Sequence, residues 1–356
     1  MATRPFLVDY DEQSLALFMY SERHSTSSVL PLRPAPAYTD GLPRIAFSDS
    51  MGIGTSTSSG EATFMKMLRE RRFVILTGVD EGVRLYRALE LELMQFFHGS
   101  FGGCGSPAKE QCVGGVYFNE REVPMWRCGY EYVDDRVREA FRVHAQADRD
   151  ELQWPTAAAK AKWLALVTFC EGLADRAFAL TLDDASKERL TRQGATMTDG
   201  QPPKASGLSA SRAAALANFE ACRKSGGDMS VAYALHYPND EGGAPTLPLD
   251  VTGGEGGLCV KAHVDPSLIV LEPVADVPGL EVFDPLTQAW VSVERASQRP
   301  GEEWVVFGGR CLEAATGVKA CLHRVTASNY GNAGSPARRR FCFIYEQKLM
   351  DYFDGC

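Results

Sequence analysis

The stretch Lys261-Ala-His-Val-Asp-Pro-Ser-Leu-Ile-Val270 places a histidine and an aspartate two residues apart, next to an apolar run that contains β-branched residues. Alternate side chains of an extended strand point to the same face, so His263 and Asp265 can share one side of a strand. One imidazole and one carboxylate at that separation can bind a single cation. A turn is the competing interpretation, because Asp-Pro favours turns and a lone histidine is more often structural than a ligand.

The overall composition is that of an ordinary globular protein, and it narrows the range of partners. The chain has 356 residues, of which 45% are hydrophobic and 10% aromatic, enough for a substantial core. A formal net charge of −9 provides no basic field for phosphate backbones or an anionic membrane surface. We therefore expect a small-molecule substrate, with no nucleic acid and no membrane as partner. The sequence does not predict an oligomeric state.

The N-terminal segment and the cysteines favour a cytoplasmic protein. The chain has no run of 18 apolar residues, and its first residues lack the basic region followed by an apolar segment that is typical of a secretory signal. Ten cysteines are scattered without a Cys-x-x-Cys pair, so neither a zinc cluster nor a dense disulfide framework is indicated. We expect reduced thiols, several of them in the core, in a reducing compartment.

The first half of the chain predicts mainly helices. Residues 1–41 form a leader, and residues 42–185 form a mainly helical N-terminal region. Within it we expect strands at 42–47 and 72–78 and helices at 61–72, from Asp80 onward, at 134–147 and at 156–182. Residues 186–228 contain many Gly, Pro, Ser and Lys residues, which predicts a partly helical insertion or flexible segment.

The second half of the chain, residues 229–356, predicts a β domain. Short β-like runs alternate with Gly, Pro and Asn turns at 230–237, 258–264, 267–273, 279–283, 289–293, 303–307, 318–325 and 339–345. Eight short strands of this kind are typical of a jelly roll or a small barrel.

A second histidine lies downstream in the same domain. The run Glu303-Trp-Val-Val-Phe-Gly-Gly-Arg-Cys-Leu312 leads to Gly317-Val-Lys-Ala-Cys-Leu-His-Arg-Val325, which places His323 in a predicted strand. Two histidines and one carboxylate on a rigid β scaffold form the facial triad suited to non-haem Fe(II) and oxygen chemistry. The remaining metal positions stay open for a cosubstrate and O₂.

Four segments occur in the order found in one enzyme family. Their counterparts in that family are an Asn-Tyr-Tyr-Pro strand, a His-Thr-Asp strand, a Gly-Leu-Gln-Val strand and a distal histidine segment. Here they read Ser230-Val-Ala-Tyr-Ala-Leu-His-Tyr-Pro238, His263-Val-Asp-Pro-Ser-Leu-Ile-Val-Leu271, Asp276-Val-Pro-Gly-Leu-Glu-Val-Phe-Asp284 and Leu322-His-Arg-Val325. The spacing of Gly309, Leu312, Gly317 and His323 also matches. Residues 229–347 thus resemble the 2-oxoglutarate/Fe(II)-dependent dioxygenase superfamily, in its isopenicillin N synthase-like branch.

The resemblance implies a fold, a cofactor and an activity. The fold is α+β, with a double-stranded β-helix (jelly-roll) core at 229–356 and a mainly helical N-terminal region. His263, Asp265 and His323 are expected to bind Fe(II), with 2-oxoglutarate as cosubstrate and O₂ as oxidant. Such enzymes hydroxylate, desaturate or cyclise a small molecule and release succinate and CO₂. An Fe(II) oxidase of the same fold that does not use 2-oxoglutarate, or a catalytically silent jelly-roll binding protein, is the alternative.

The group that binds the distal carboxylate of 2-oxoglutarate has two candidate positions, because the family's Arg-x-Ser is replaced by Arg338-Arg-Arg-Phe-Cys-Phe-Ile-Tyr-Glu346. A bidentate guanidinium suits this carboxylate best. An alignment without gaps puts Arg338 in the arginine place, whereas a shift by two puts Arg340 there and Cys342 in the serine place. We expect Arg338, with Arg340 as the alternative. The resemblance also gives Tyr237 a part in holding 2-oxoglutarate, although Leu235 replaces the family's asparagine.

Overall fold

The N-terminal part of the chain mixes helices and strands. The structure is a computed structural model that describes residues 42–50, 58–97, 107–118, 124–133, 138–145, 147, 152–192, 210–237, 258–326 and 340–350. Up to residue 224 its elements are β1 (Arg44–Ala46), α1 (Phe47–Ser50), α2 (Ser58–Arg71), β2 (Phe73–Thr77), α3 (Asp80–Phe97), α4 (Pro107–Gln111), β3 (Val113–Phe118), β4 (Pro124–Val133), β5 (Arg138–His144), α5 (Ala157–Arg192) and α6 (Ala210–Lys224). Among these described helices, none combines the length and the apolar character needed to cross a bilayer.

The C-terminal part contains all eight of the strands that the sequence predicts. They are β6 (Val231–Tyr237), β7 (Leu258–His263), β8 (Ile269–Pro273), β9 (Leu280–Asp284), β10 (Ala289–Ser292), β11 (Trp304–Gly308), β12 (His323–Thr326) and β13 (Arg340–Glu346). Two short helices lie between them, α7 (Val293–Ala296) and α8 (Arg310–Thr316). The predicted strand at 318–325 begins only at His323, because α8 and an irregular segment precede it.

The strands pair into two sheets that form a double-stranded β-helix. In the described residues a nine-stranded sheet has the order β1-β2-β11-β8-β13-β6-β5-β4-β3, and a four-stranded sheet has the order β10-β9-β12-β7. The eight strands from β6 onward therefore divide equally between the sheets, with β6, β8, β11 and β13 in the large sheet. This arrangement confirms the predicted jelly-roll core.

Apolar side chains fill the space between the two sheets and cover the outer face of the large one. The inner cluster joins residues of the large sheet to residues of the small sheet: Val270, Val305 and Phe307 with Leu280, Val282 and Val291. The outer face packs against helices α3 and α5 in a larger cluster that includes Leu89, Trp163, Phe178, Leu271, Trp304 and Phe343. The large sheet is thus buried on both faces, which holds its strands rigidly.

The helix predicted at 134–147 is wrong, because residues 138–144 form strand β5. Arg, Glu and Ala favour a helix in isolation, but β5 is paired on both sides, with β4 and with β6. Glu139 is fully buried on the helical side of the sheet, where it accepts hydrogen bonds from Lys109 Nζ and Tyr130 Oη, both at 2.6 Å. Burial of a paired glutamate breaks the apolar alternation that would have indicated a strand.

The thiols of the described core agree with the expectation of reduced, buried cysteines. Cys112, Cys128, Cys170, Cys321 and Cys342 are buried and lie outside any disulfide. Burial raises the pKa of the Cys112 thiol to about 11, so the neutral thiol is the stable form.

Two glycines test the packing of helix α3 against helix α5. A Cβ on Gly82 would lie 2.6 Å from Phe169 Cε1, whereas a Cβ on Gly172, in the interior of α5, would meet no atom within 4 Å. We predict that Gly172→Ala raises the free energy of unfolding by about 0.5–1 kcal/mol. Gly82→Ala should lower it by about 1–3 kcal/mol through overpacking. Chemical denaturation measures both, and a shift of the same sign in the two variants would contradict this packing.

Candidate metal centre

The two histidines face each other across paired strands. β12 pairs antiparallel with β7, and in this register His323 lies directly opposite His263. Directly opposite residues of neighbouring strands point to the same face of a sheet. Their ring centroids are 4.3 Å apart. The strand pairing therefore brings together two imidazoles that are far apart in the sequence.

Asp265 reaches the same place from a bend rather than from a strand. β7 ends at His263, so the expectation of an extended strand through Asp265 does not hold. Its backbone is held by helix α8, because the Arg310 N–H donates to the Asp265 carbonyl at 2.7 Å. The carboxylate lies between the two imidazoles, with Oδ1 3.4 Å from His263 Nε2 and Oδ2 3.4 Å from His323 Nε2.

Backbone carbonyls fix which ring nitrogen each histidine presents. His263 Nδ1 lies 2.8 Å from the Lys261 carbonyl oxygen, and His323 Nδ1 lies 3.2 Å from the Cys321 carbonyl oxygen. A carbonyl only accepts, so each Nδ1 carries the proton and each Nε2 is left with a lone pair. The Phe307 ring packs 5.0 Å from the His323 ring and limits its rotation.

The arrangement fits a divalent first-row metal. One nitrogen of each histidine and one carboxylate oxygen lie within 4.8 Å of one another, and among the described residues this is the single group of this kind. Two imidazoles with one carboxylate are the facial set that leaves other coordination positions open. Side-chain exposure is 33% for His263 but 14% for Asp265 and 8% for His323, so the centre opens to solvent on the His263 side.

The charges of the three side chains are coupled. Burial alone would raise the pKa of the Asp265 carboxyl, but His323 and His263 outweigh it and hold that pKa below its ordinary value. Burial lowers the pKa of His323 to about 4, although Asp265 opposes the shift. For His263 burial acts in the same direction, but the hydrogen bond and charge of Asp265 raise its pKa. A carboxylate beside neutral imidazole is the protonation state that binds metal.

Of the two arginines expected to bind 2-oxoglutarate, Arg338 lies outside the described residues and Arg340 is buried. Arg340 begins β13 opposite Tyr237 of β6, and its guanidinium carbon lies 5.4 Å from the centroid of the Tyr237 ring. Its Nη1 donates to Cys342 Sγ at 2.9 Å, and its Nε donates to the Val277 carbonyl at 3.1 Å. The structure therefore brings Arg340 and Tyr237 together, as the resemblance implies.

Two glutamates of this chain accept hydrogen bonds from the Arg340 guanidinium. Arg340 Nη2 donates to Glu294 Oε1 at 2.8 Å and to Glu272 Oε1 at 3.3 Å. Glu294 also accepts the backbone N–H groups of Gly279 and Leu280. Sequence reasoning missed both glutamates. The available signal was one charged residue inside the apolar strand Ile269-Val-Leu-Glu-Pro273.

The two carboxylates differ in their hold on Arg340, and Glu272 is the weaker partner. Burial is the main cause that raises the pKa of Glu272 to about 8; Glu294 and Asp265 add to the effect and Arg340 opposes it. Glu272 is therefore mostly protonated at neutral pH. Arg340, Glu272, Glu294, Tyr237 and Cys342 together form a cluster, called the Arg340 cluster below.

Gly309 provides a test of how Asp265 is positioned. A Cβ on Gly309 would lie 2.6 Å from the Asp265 carbonyl oxygen and would also collide with the Ser267 carbonyl oxygen. We predict that Gly309→Ala displaces the Asp265 bend and weakens Mn(II) binding by about tenfold or more, since displacing a ligand costs at least as much as an outer-shell change. Gly172→Ala is the control, and isothermal titration measures affinity. Unchanged affinity in Gly309→Ala would refute this account of the bend.

Glu272→Gln should change the dependence of stability on pH. The folded-state pKa near 8 lies above the ordinary value of 4.5, so between these pH values the folded protein keeps a proton that the unfolded chain has lost. The contribution of Glu272 to wild-type stability therefore falls as pH rises from 4.5 to 8. We predict that the thermal midpoint of Glu272→Gln, relative to wild type, is higher at about pH 8 than at about pH 5.

Glu303→Gln is the matched control for that measurement. Glu303 is also buried and ion-paired, with Arg44 Nε at 3.1 Å, but lies outside the Arg340 cluster. An equal offset of Glu272→Gln from wild type at both pH values would show that Glu272 does not titrate in this range.

Comparison with known proteins gives the fold its name. No family model and no curated protein matches the sequence. Among solved structures, a full-length Neurospora crassa protein in complex with alpha-KG shares 15% identity with a TM-score of 0.56, covering 89% of this chain and 88% of its own. AtDAO1, dioxygenase for auxin oxidation 1 from Arabidopsis thaliana, solved as a 2-oxoglutarate complex, shares 11% with a TM-score of 0.53, covering 87% and 93%. JOX2, in complex with 2OG, Fe and JA, shares 18% with a TM-score of 0.50, covering 95% and 82%.

These likenesses extend over most of each chain at low identity, so they report on architecture. A TM-score of 0.50 to 0.56 over this coverage indicates a shared fold. The chain therefore has the double-stranded β-helix fold of the 2-oxoglutarate- and iron-dependent oxygenases.

Proposed function

We propose that the protein is an Fe(II)- and 2-oxoglutarate-dependent oxygenase that oxidises a small molecule. The observation that carries the proposal is the convergence of one nitrogen each of His263 and His323 with an Asp265 carboxylate oxygen, all within 4.8 Å. This donor set is suited to Fe(II) with open positions, and both imidazoles are held in the tautomer that can bind it.

The structural neighbours support the cosubstrate and the substrate class. The Neurospora crassa protein has been solved with alpha-KG together with thymine or 5-formyluracil, and JOX2 with 2OG, Fe and JA. Thymine, 5-formyluracil and JA are all small molecules. For this chain we propose a small organic substrate that is hydroxylated, desaturated or cyclised, with release of succinate and CO₂. A net charge of −9 disfavours nucleic acid as the substrate.

The residues of the centre have distinct tasks. Bound iron would supply the redox chemistry, in which O₂ is consumed and 2-oxoglutarate is decarboxylated. His263 and His323 would bind the metal through Nε2, and Asp265 through its carboxylate. Phe307 keeps water away from the buried side of His323, and the more exposed His263 marks the side from which substrate enters.

The organisation of the chain follows from the same proposal. We assign residues 229–356 to the oxygenase core and residues 42–185 to a supporting region, whose described part combines helices with strands β1 to β5 of the large sheet. The leader expected at 1–41 lies outside the described residues, and we assign 186–228 to an insertion or flexible segment. Helix α6 lies in that insertion, and residues 193–209 lie outside the described residues. The buried thiols support a reducing, cytoplasmic environment.

A second candidate is an Fe(II) oxidase of the same fold that uses no 2-oxoglutarate. The observation that favours it is the occupation of Arg340, whose Nη2 already donates to Glu272 and Glu294. Incubating the Fe(II)-loaded protein with O₂ and a metabolite panel, with and without 2-oxoglutarate, separates the two. Succinate formation that requires 2-oxoglutarate supports the oxygenase, whereas O₂ consumption without it supports the oxidase.

The metal ligands give the most direct test. We predict that His263→Ala, Asp265→Ala and His323→Ala each abolish succinate formation, because two remaining ligands do not retain a labile divalent ion against water. Each should lower Fe(II) affinity by more than about 100-fold, since outer-shell changes alone cost about 10–100-fold. Anaerobic titration measures affinity, and the thermal midpoint verifies folding.

Asp276→Ala serves as the aspartate control for these variants. Asp276 is a half-exposed partner of Arg87 and lies outside the centre. It should keep wild-type iron affinity and turnover. Full activity with normal iron content in any one of the three ligand variants would show that this residue is not a ligand.

A further inference from the structure

Strand β5 carries a second arginine that no pattern in the sequence singled out. The Arg138 side chain is half-buried, and its Nε is buried without a hydrogen-bond partner among the described residues. A buried guanidinium N–H that finds no acceptor is costly, so its presence calls for an explanation. Arg340, in contrast, has an acceptor for each of its three nitrogens.

Strand register places Arg138 beside Tyr237. Glu139 of β5 pairs with His236 of β6, and Ala140 pairs with Leu235, so Arg138 comes next in line with Tyr237. Glu139 contacts Lys109 on the helical side of the sheet, so Arg138, one residue away, faces the opposite side together with Ala140. On that side Ala140 packs with Leu235, Tyr237 and Cys342 in one apolar cluster.

The electrostatics agree with this placement. Burial alone would lower the pKa of the Arg138 guanidinium, but its interactions with Tyr237 first, and then with Glu131 and Cys342, outweigh burial and raise that pKa. The pKa of Arg138 is therefore raised and the group is positively charged. Tyr237 and Cys342 also raise the pKa of Arg340, so both guanidinium groups share these two neighbours.

Among the described residues, the positive charges near Tyr237 outnumber the carboxylates that are paired with them by one. Arg138 and Arg340 each provide a positive charge. Glu272, with its raised pKa, is mostly protonated at neutral pH, which leaves Glu294 as the carboxylate that balances Arg340. Glu131, the acidic neighbour of Arg138, is ion-paired with Arg142 at 3.1 Å. A half-buried positive charge without its own anion is less favourable than one that a ligand neutralises.

We propose that Arg138 binds the distal carboxylate of 2-oxoglutarate, with Tyr237 beside it, and that Arg340 is a positioning residue held by Glu272 and Glu294. The inference rests on the proposed function, since it names the residue for its cosubstrate. In the family, the guanidinium that binds this carboxylate lies on the last strand of the core. Here Arg340, on that strand, is paired with glutamates of the protein itself. A strand of the N-terminal region supplies another, which has no ion-paired carboxylate among the described residues.

The test compares two ligands that differ only in the distal group. 2-Oxoglutarate and 2-oxopentanoate both carry the keto-acid end, but only 2-oxoglutarate carries a second carboxylate. Binding to the Mn(II)-loaded protein is measured by calorimetry, without turnover. Wild type should prefer 2-oxoglutarate by about 30-fold to several-thousand-fold, the range expected for a desolvated charge pair. Arg138→Gln should abolish that preference and leave 2-oxopentanoate affinity within about threefold of wild type, because the keto-acid end is bound elsewhere.

Arg44→Gln is the matched control, because Arg44 lies in strand β1 of the same sheet and is ion-paired with Glu303, away from Glu131. It should keep the preference for 2-oxoglutarate. Arg138→Lys retains the charge without the planar fork, and we expect it to keep part of the preference. This variant also keeps the inference testable should Arg138→Gln fail to fold.

Three results would overturn the inference. The first is an unchanged preference in Arg138→Gln and Arg138→Lys. The second is an equal loss in Arg44→Gln, which would show that any lost positive charge on the sheet weakens binding. The third is a loss confined to Arg340→Lys or Arg338→Gln, which would assign the carboxylate to the last strand. Failure of the proposed function is distinct: the Mn(II)-loaded wild type would then bind neither ligand.

Discussion

The pairing of β12 with β7 is the constraint on which the metal centre depends. Because side chains alternate along a strand, a slip of one residue would turn His323 away from His263 and leave Asp265 with one imidazole. The β7 side of the pairing is irregular beyond His323. The register is fixed from the other side, where His323 pairs with Val282 of β9 and Arg324 is ion-paired with Glu281 at 2.6 Å. An interaction two strands away from His263 thus secures the geometry of the site.

Much of the core, and the group formed by His263, Asp265 and His323, could be predicted, because they depend on local pattern and on order along the chain. Each core strand is a short apolar run between turn residues, and the expected ligands lie at the ends of such runs. Helix α8 was missed, although its ends were visible as Gly309 and Gly317. Gly317 ends the helix with φ of +78°, a conformation that glycine adopts without strain. The spacing that suggested a family likeness was therefore the outline of the helix that holds Asp265.

The charged interior could not be predicted, because its partners lie far apart in sequence. Glu272, Glu294 and Arg340 come from β8, α7 and β13, and only folding brings their side chains together. The same applies to β5: its residues favour a helix locally, and pairing with β6 overrides that preference. The incorrect helix over 134–147 hid Arg138, since on a helix it would have no fixed relation to Tyr237.

The charged interior and strand β5 both escaped prediction for one physical reason, the requirement that buried charges be neutralised. In the family pattern the arginine of the last strand binds a ligand, but Arg340 is already paired with Glu294. Close contact with Gly279 also confines Arg340, since a Cβ on Gly279 would lie 2.7 Å from Arg340 Nε. An arginine paired in this way stabilises the barrel with or without a ligand. An anion that binds near Tyr237 must then meet another positive charge, and β5 places one there. The departure from Arg-x-Ser in the last strand and the half-buried arginine on β5 therefore belong together, because both follow from the balance of charges inside the barrel.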